Sequence, residues 1–291
     1  MSDKQMYTHE ALHWASLFLT QHNRETRIAE ILLQHHLGIS RAQLLATMRD
    51  LVPGEVIQAF EKDITAHAET GVPVQHLTGV ESFYGRQFAV NKHVLIPRPE
   101  TEELIVGVGE YLNRNHLSEP AQLADIGTGS GIIAITLKLE HPAVDIWASD
   151  YSEDALVVAK SNAEKLQADL YFKQGDFLQP FIDANQKLDV IVSNPPYIPY
   201  SEKDSLSDTV KNYDPDLALF AEQQGLAAYM KIVEQAKSVV KDHALIAFEI
   251  GYQQGRQVAE IIEHHFPDST IEIRKDINNK DRMVFAEIGK A

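Results

Sequence analysis

The sequence predicts an α/β domain on a seven-stranded, mostly parallel sheet with an antiparallel hairpin at one edge, preceded by a small helical domain. From about Thr101 onward, short apolar runs of strand character alternate with amphipathic helical stretches. That is the pattern of a parallel sheet covered on both faces. The last two runs are separated only by "DINNKD", too short for a crossover helix, so they must pair antiparallel. Up to about Thr70 the apolar residues recur at helical spacing instead.

In chain order, Leu12, Ala15 and Leu19 share one helical face, and Ile28, Ile31 and Leu32 share the next. Gly38 ends that second helix, and Ser40-Arg41-Ala42-Gln43 has capping-box form for a third that carries Leu44, Leu45 and Met48. Pro53 opens a fourth, with Val56, Phe60 and Ile64 in register. The pattern changes at "TGVP", residues 70–73. The expected division is therefore a helical domain over 1–72, a linker with a β-hairpin over 73–100, and an α/β domain over 101–291. The hairpin is expected to join "SFYGRQFAV" and "HVLIP" about Asn91-Lys92. The seven strands are read as "AQLADIG", "VDIWASD", "LYFKQ", "LDVIVSN", "ALIAFEIG", "TIEIRK" and "RMVFAEI".

The 26 Lys and Arg against 42 Asp and Glu leave a net charge of −16. A field of that sign repels phosphate backbones, so nucleic acid is not expected as a direct partner. The absence of cysteine removes disulfides, thiolate zinc sites and cysteine nucleophiles together, and suits a reducing compartment. The first residues lack the basic and apolar blocks of a signal peptide, and no uncharged apolar run approaches a membrane span. A cytoplasmic protein without membrane association is expected.

"LADIGTGSGIIAIT" reads as a strand, then Gly127-Thr128-Gly129-Ser130-Gly131, then an apolar helix. Glycines there let the backbone turn tightly and a ligand approach it closely. Asp150 ends the next strand about twenty residues on, where a carboxylate can take both ribose hydroxyls of an adenosine. It could also cap the helix starting near Ser152, but its pairing with the glycine loop makes a nucleoside site the better reading. Asp176-Phe177 closes a third strand, with the carboxylate a candidate acceptor for an adenine amino group and the ring a stacking surface or core. The spacing G-x-G-x-G lacks the extra residue of the dinucleotide fingerprint. With the edge hairpin, this favours S-adenosyl-L-methionine over a nicotinamide cofactor.

The fourth strand runs into "SNPPYIPY". A Pro-rich strand exit alone would not require an amide before the prolines and an aromatic after them. Asn194-Pro195-Pro196-Tyr197 resembles the signature of methyltransferases acting on planar, poorly basic nitrogens. In such a site the Asn194 side-chain oxygen and the Pro195 carbonyl each accept an N–H of the substrate, proline stiffness holds them in place, and the Tyr197 ring covers the substrate plane. A second resemblance is narrower. "PVQHLTGVESFYGRQFAVNKHVLIPRPETEELI", above all its "LIPRPETE", is similar to the segment before the catalytic domain of the release-factor glutamine N5-methyltransferases, and "DRMVFA" resembles their closing strand. Two stretches depart from that family: "ALFAEQQGL" stands where a more glycine- and acid-rich segment is frequent, and "INNKD" lacks the usual glycine.

The resemblance implies a Rossmann-like, S-adenosylmethionine-dependent methyltransferase fold. It also implies a reaction, methylation of the glutamine amide nitrogen in the Gly-Gly-Gln loop of class I peptide chain release factors. Asn194, Pro195 and Tyr197 would be catalytic, Asn194 to Tyr197 would hold substrate, and Asn194 would also border the cofactor. Arg98 and Glu100 would either shape the site or form a salt bridge joining the domains. The alternative reading is an amino-group methyltransferase acting on N6 of adenine or N2 of guanine, which the charge and the "LIPRPETE" segment oppose.

No metal is expected. His9-Glu10-Ala11-Leu12-His13 has the H-E-x-x-H form of zinc proteases, but a third ligand and burial are hard to arrange so near the chain start. Glu249, at the end of the fifth strand near the expected cleft, has no role assignable from sequence.

Overall fold

The structure is a computed structural model that describes residues 5–115 and 120–289. The terminal residues of the expected domains, 1–4 and 290–291, lie outside the described residues. The chain forms two compact units, one running up to Gly79 and including Ser207–Tyr213, the other formed by Val80–Leu206 and the chain from Asp214.

The first unit is built from α1 (Thr8–Gln21), α2 (Arg27–Leu37), α3 (Arg41–Ala46), α4 (Gly54–Thr70) and α5 (Val74–Thr78). The Ser40 hydroxyl accepts from the Gln43 N–H and the Gln43 side chain returns to the Ser40 N–H, the reciprocal cap read from the sequence. Gly38 and Gly71 end α2 and α4 in the left-handed region, where a Cβ is costly. Leu19, Leu32, Leu33, Phe60 and Ile64 are fully buried between the helices. Burying a side chain of that size contributes about 1.5–3 kcal/mol. The α5 turn occupies part of the stretch expected to be linker, with Val74 buried in the same core.

The second unit opens on a hairpin of β1 (Val80–Phe83) and β2 (Arg86–Ala89). Its turn is Tyr84-Gly85 rather than the expected Asn91-Lys92, and "HVLIP" is not a strand. Both turn residues have positive φ, 49° and 71°, the geometry that matches the twist of a two-residue hairpin. Glycine supplies one such position at no cost, so the tyrosine carries the local strain.

The sheet contains β3 (Gln122–Ile126), β4 (Asp145–Asp150), β5 (Tyr171–Gln174), β6 (Leu188–Ser193), β7 (Val240–Glu249), β8 (Thr270–Lys275) and β9 (Asp281–Ile288), in the spatial order β8-β9-β7-β6-β3-β4-β5. Every pairing is parallel except those of β9, which runs antiparallel to both β7 and β8. All seven strands stand where the apolar runs placed them.

Alternate residues of each strand face opposite sides. Leu123, Val190, Val192 and Leu245 point into one apolar layer, with α6 (Thr101–Arg114) and α7 (Ile132–Glu140). Ile126, Ile191, Ile246 and Phe248 point into the other, with α8 (Ala227–Ala236) and α9 (Gly255–His265). Gly107 of α6 has no space for a side chain, since a Cβ there would stand 2.2 Å from the Phe285 ring. From β3 the chain first adds β4 and β5 on one side, then returns to place β6 on the other. The carboxyl ends of β3 and β6 therefore flank a switch point, where open α/β sheets form their ligand crevice.

Candidate active site

The first wall of the crevice is the turn after β3. Gly127, Gly129 and Gly131 all take positive φ, and Gly131 leads into α7. At Gly131 space is short as well, because a Cβ would meet Ile135 Cδ1 at 2.9 Å. The loop is held from below. Gly127 and Thr128 N–H groups both donate to the Ser149 carbonyl at 2.9 Å, and the Thr128 hydroxyl donates to Asp125 Oδ2 at 2.6 Å. Asn162 Nδ2 donates to the Ser130 carbonyl at 2.9 Å, while its Oδ1 accepts from the Ala89 N–H at 2.7 Å. One buried amide thus ties the hairpin to the loop.

Asp150 ends β4 with one carboxylate oxygen toward the loop, accepting from Gly129 N–H at 2.9 Å, and the other accepting from Ser152 N–H at 2.9 Å. Ser152, not Asp150, caps the next helix, its hydroxyl accepting from Ala155 N–H. Burial pushes the Asp150 carboxyl up and these N–H donors pull it down. Asp176, after β5, is paired with Lys231, and Phe177 packs part of its ring on the second apolar layer.

The opposite wall is the exit of β6. Pro195 is buried, and Asn194 and Pro196 are half-buried. Asn194 Nδ2 donates to Thr101 Oγ1 at 3.4 Å. Between the walls lies a cavity of about 530 Å³, bordered by Gly127 to Ser130, Asp150, Asp176, Phe177, Asn194, Pro195 and Pro196, with Arg98, Thr101 and the Pro215–Ala218 region closing it. This volume suits a nucleoside-sized ligand.

Tyr197 departs from its expected place. Its ring lies outside the lining of the cavity and packs on the second apolar layer. Burial, with Glu249 nearby, pushes its hydroxyl up to about 12. Packing an aromatic ring against that layer removes it from water, and the backbone there is fixed as well, the Tyr197 carbonyl accepting from Gln254 Nε2 at 3.0 Å. Arg98 also departs from one of its two expected roles. It pairs with Asp214 at 2.9 Å inside the second unit, on the rim of the cavity.

Three residues with no role assigned from sequence complete the site. Thr101 borders the cavity and is fully buried, and its hydroxyl donates to Glu249 Oε2 at 2.6 Å. Burial pushes the Glu249 carboxyl up to about 7, against the lowering effects of the Thr101 bond and the Arg282 charge. Asp214 anchors Arg98 with a side chain that is nearly all buried. Thr101 directly follows "PRPE" in the sequence, but its partner is 148 residues away. His9, singled out in the H-E-x-x-H match, donates from Nδ1 to the Met48 carbonyl at 2.9 Å.

Residues 10–79 match the model of the PrmC N-terminal domain, and 109–211 that of the methyltransferase small domain. A release factor glutamine methyltransferase of Bacillus anthracis is 47% identical over 97% of this chain and 100% of its own length. That of Bacillus subtilis strain 168 is 46% identical over 97% of this chain and 98% of its own. A methyltransferase of Pyrococcus furiosus matches the fold with a TM-score of 0.50 at 14% identity, covering 71% of this chain and 91% of that one. With a glycine cradle facing an Asn-Pro-Pro-Tyr strand exit across one cavity, and with relatives of this identity along nearly its whole length, the chain belongs to the release factor glutamine methyltransferase family, S-adenosylmethionine-dependent enzymes of Rossmann-like fold.

Proposed function

We propose that the chain methylates the side-chain amide nitrogen of the glutamine in the Gly-Gly-Gln loop of class I peptide chain release factors. The observation that carries this is the Asn194 carboxamide at the end of β6, held at the cavity across from the glycine loop. Gly127 to Gly131, Asp150, Asp176 and Phe177 would hold S-adenosylmethionine, and the residues present fit it. The loop leaves open space where side chains at Gly127 and Gly129 would stand, and a carboxylate beside it can receive ribose hydroxyls. When bound, the cofactor supplies a methyl group on a cationic sulfur, which a neutral amide nitrogen can attack.

The chain's own part is alignment. An amide nitrogen shares its lone pair with the carbonyl and is a poor nucleophile until held. The Asn194 side-chain oxygen and the Pro195 carbonyl would each accept one N–H of the substrate, fixing the nitrogen with its lone pair toward the methyl group. Pro195 and Pro196 limit backbone motion at those acceptors. Buried Pro195 and Thr101 beside the acceptors limit the water that would compete for the same hydrogen bonds. The helical unit is proposed to grip the release factor away from the reacting glutamine.

Incubating the protein with methyl-labelled S-adenosylmethionine and a release factor tests the reaction. Label should enter the wild-type factor and not one whose Gly-Gly-Gln glutamine is replaced. Equal labelling of both would refute it. A chain beginning at Val80, folded by circular dichroism, should bind cofactor and lose methylation of the whole factor. Retention of the full rate would remove the gripping role. Salt should slow the encounter wherever the partner surface is basic, given the net charge of −16.

A further inference from the structure

The geometry points to Glu249 as a positioning residue that, through the Thr101 hydroxyl, sets which end of the Asn194 carboxamide faces the cavity. This rests on the reading of Asn194 as the acceptor for a substrate N–H.

The two ends of a carboxamide are nearly identical in shape and opposite in hydrogen-bonding sense. A substrate amide N–H₂ needs an acceptor. A flipped Asn194 would set donor against donor, so something must specify the orientation. Thr101 has a single hydroxyl proton, and it is committed to Glu249 Oε2 at 2.6 Å. An ionised carboxylate only accepts, so the donation cannot run the other way. Toward Asn194 the hydroxyl can then offer only a lone pair, and it is Nδ2 that meets it, at 3.4 Å. That demand selects Nδ2, which leaves Oδ1 for the cavity. Thr101 is fully buried and Glu249 is 2% exposed, so the chain of bonds is shielded from solvent. Its remaining anchor is backbone, since Tyr229 donates its hydroxyl to the Glu249 carbonyl at 2.9 Å.

The direction of this chain depends on the charge of its first member. A protonated Glu249 gains an O–H that can donate to Thr101. The Thr101 proton is then released to point at Asn194, and the carboxamide loses its reason to present Oδ1. The charged or titratable groups around Glu249 are Arg282, which favours the carboxylate, Glu100, which opposes it, and the phenols of Tyr197 and Tyr229. Burial opposes the charge most of all, and the carboxyl is raised to about 7.

The test uses Thr101→Val, Thr101→Ser and Glu249→Gln in the full chain. Thr101→Val keeps the shape and removes the hydroxyl, and should lose on the order of 10²-fold in single-turnover methylation of a release factor through misalignment. Thr101→Ser should retain most of the rate. Glu249→Gln can present a donor as readily as an acceptor, and should fall with Thr101→Val. Calorimetric affinity for S-adenosylmethionine should change little in all three, while the melting temperature should fall in Thr101→Val, which leaves a buried carboxylate oxygen without its donor. Followed from about pH 5.5 to about pH 9, the wild-type rate should fall on the acid side of about 7, a limb that Glu249→Gln should lack. The side-chain amide signals of Asn194 in ¹⁵N-labelled enzyme alone should titrate over the same range and shift in Thr101→Val. Those signals are read without any methyl transfer. A wild type inactive on the factor would therefore defeat the functional reading while leaving the hydrogen-bond chain measurable. A wild-type rate in folded Thr101→Val overturns the proposal, as does an acid limb that persists in Glu249→Gln.

Discussion

Gln254 donates from Nε2 to the Tyr197 carbonyl at 3.0 Å, and the same carbonyl oxygen would stand 2.1 Å from a Cβ at Gly225. The backbone leaving the two prolines is thus gripped between a buried amide and a glycine that cannot carry a side chain. Gly225 has φ +83°, which alone disfavours alanine by about 1–2 kcal/mol. Gly225→Ala should lower thermal stability and, by displacing the strand exit, reduce methyl transfer more than cofactor affinity. A melting curve beside a single-turnover assay checks both.

Asn194→Ala should leave the fold in place, because the residue sits half-buried at a strand end. It removes the acceptor that fixes the substrate nitrogen, and lost alignment of that kind costs about 10²-fold or more in turnover. Affinity for S-adenosylmethionine should fall far less, since the glycine loop and Asp150 remain. Single-turnover methylation at saturating cofactor is the measurement. A wild-type rate would reduce the motif to a stiff strand exit.

Asp150→Ala should weaken S-adenosylmethionine binding by about 1–3 kcal/mol, the scale of a lost charge-assisted bond. The carboxylate also accepts from Gly129 and Ser152 N–H groups, so the free protein should lose some stability too. Titration calorimetry paired with a melting curve measures both effects.

For Tyr197 the expected effect is now chiefly on packing. Tyr197→Phe should be mild in rate and stability. Tyr197→Ala empties a partly buried site against the second apolar layer and should cost about 2–3 kcal/mol, below the range for a fully buried ring. Urea denaturation of the two variants distinguishes this from a ring acting only on substrate, which would leave stability unchanged.

Asp125 predicts a pH dependence of stability. Burial raises its carboxyl from 3.8 to about 7, against the bonds from Thr128 and Ala134. The native state therefore keeps a proton that the unfolded chain releases, and stability from this group is full below the lower value and lost as pH rises through the upper one. Asparagine cannot ionise. Asp125→Asn should gain stability relative to wild type between about pH 5 and about pH 8, whatever its offset at the lower pH. Urea midpoints at the two pH values give the slope.

The parts of the fold that were legible in the sequence are those whose cause is local. The strand "LDVIV" is apolar except for Asp189, whose carboxylate pairs with Lys241, because both its faces are covered, and all six residues of β6 are buried. The glycine loop and the Asn-Pro-Pro-Tyr exit are contiguous, so spacing alone exposes them. The hairpin was misplaced because Asn-Lys looks like a turn, whereas the real turn asks a tyrosine to take φ 49°. Thr101 and Glu249 were beyond reach for another reason. Thr101 lies inside "LIPRPETE" and Glu249 ends a strand near the cleft, but their relation exists only once α6 is laid beside β7. The setting of Tyr197 was hidden likewise, since the apolar layer its ring joins and the Gln254 and Gly225 that hold its carbonyl come from distant parts of the chain.

The antiparallel strand β9 has a consequence for biosynthesis. It is the last of the seven strands in chain order, yet it lies inside the sheet, between β7 and β8. Until it arrives, β8 has no neighbour and β7 has one open edge, a combination that invites pairing with other chains. The same strand supplies the Arg282 carbonyl that accepts from Ile250 N–H at 2.8 Å, next to Glu249. A nascent chain halted before residue 281 would therefore carry the glycine loop and the Asn-Pro-Pro-Tyr exit with the backbone behind Glu249 still unfastened. The enzyme should become competent only with its closing strand, and truncations from that end should cost solubility and activity together.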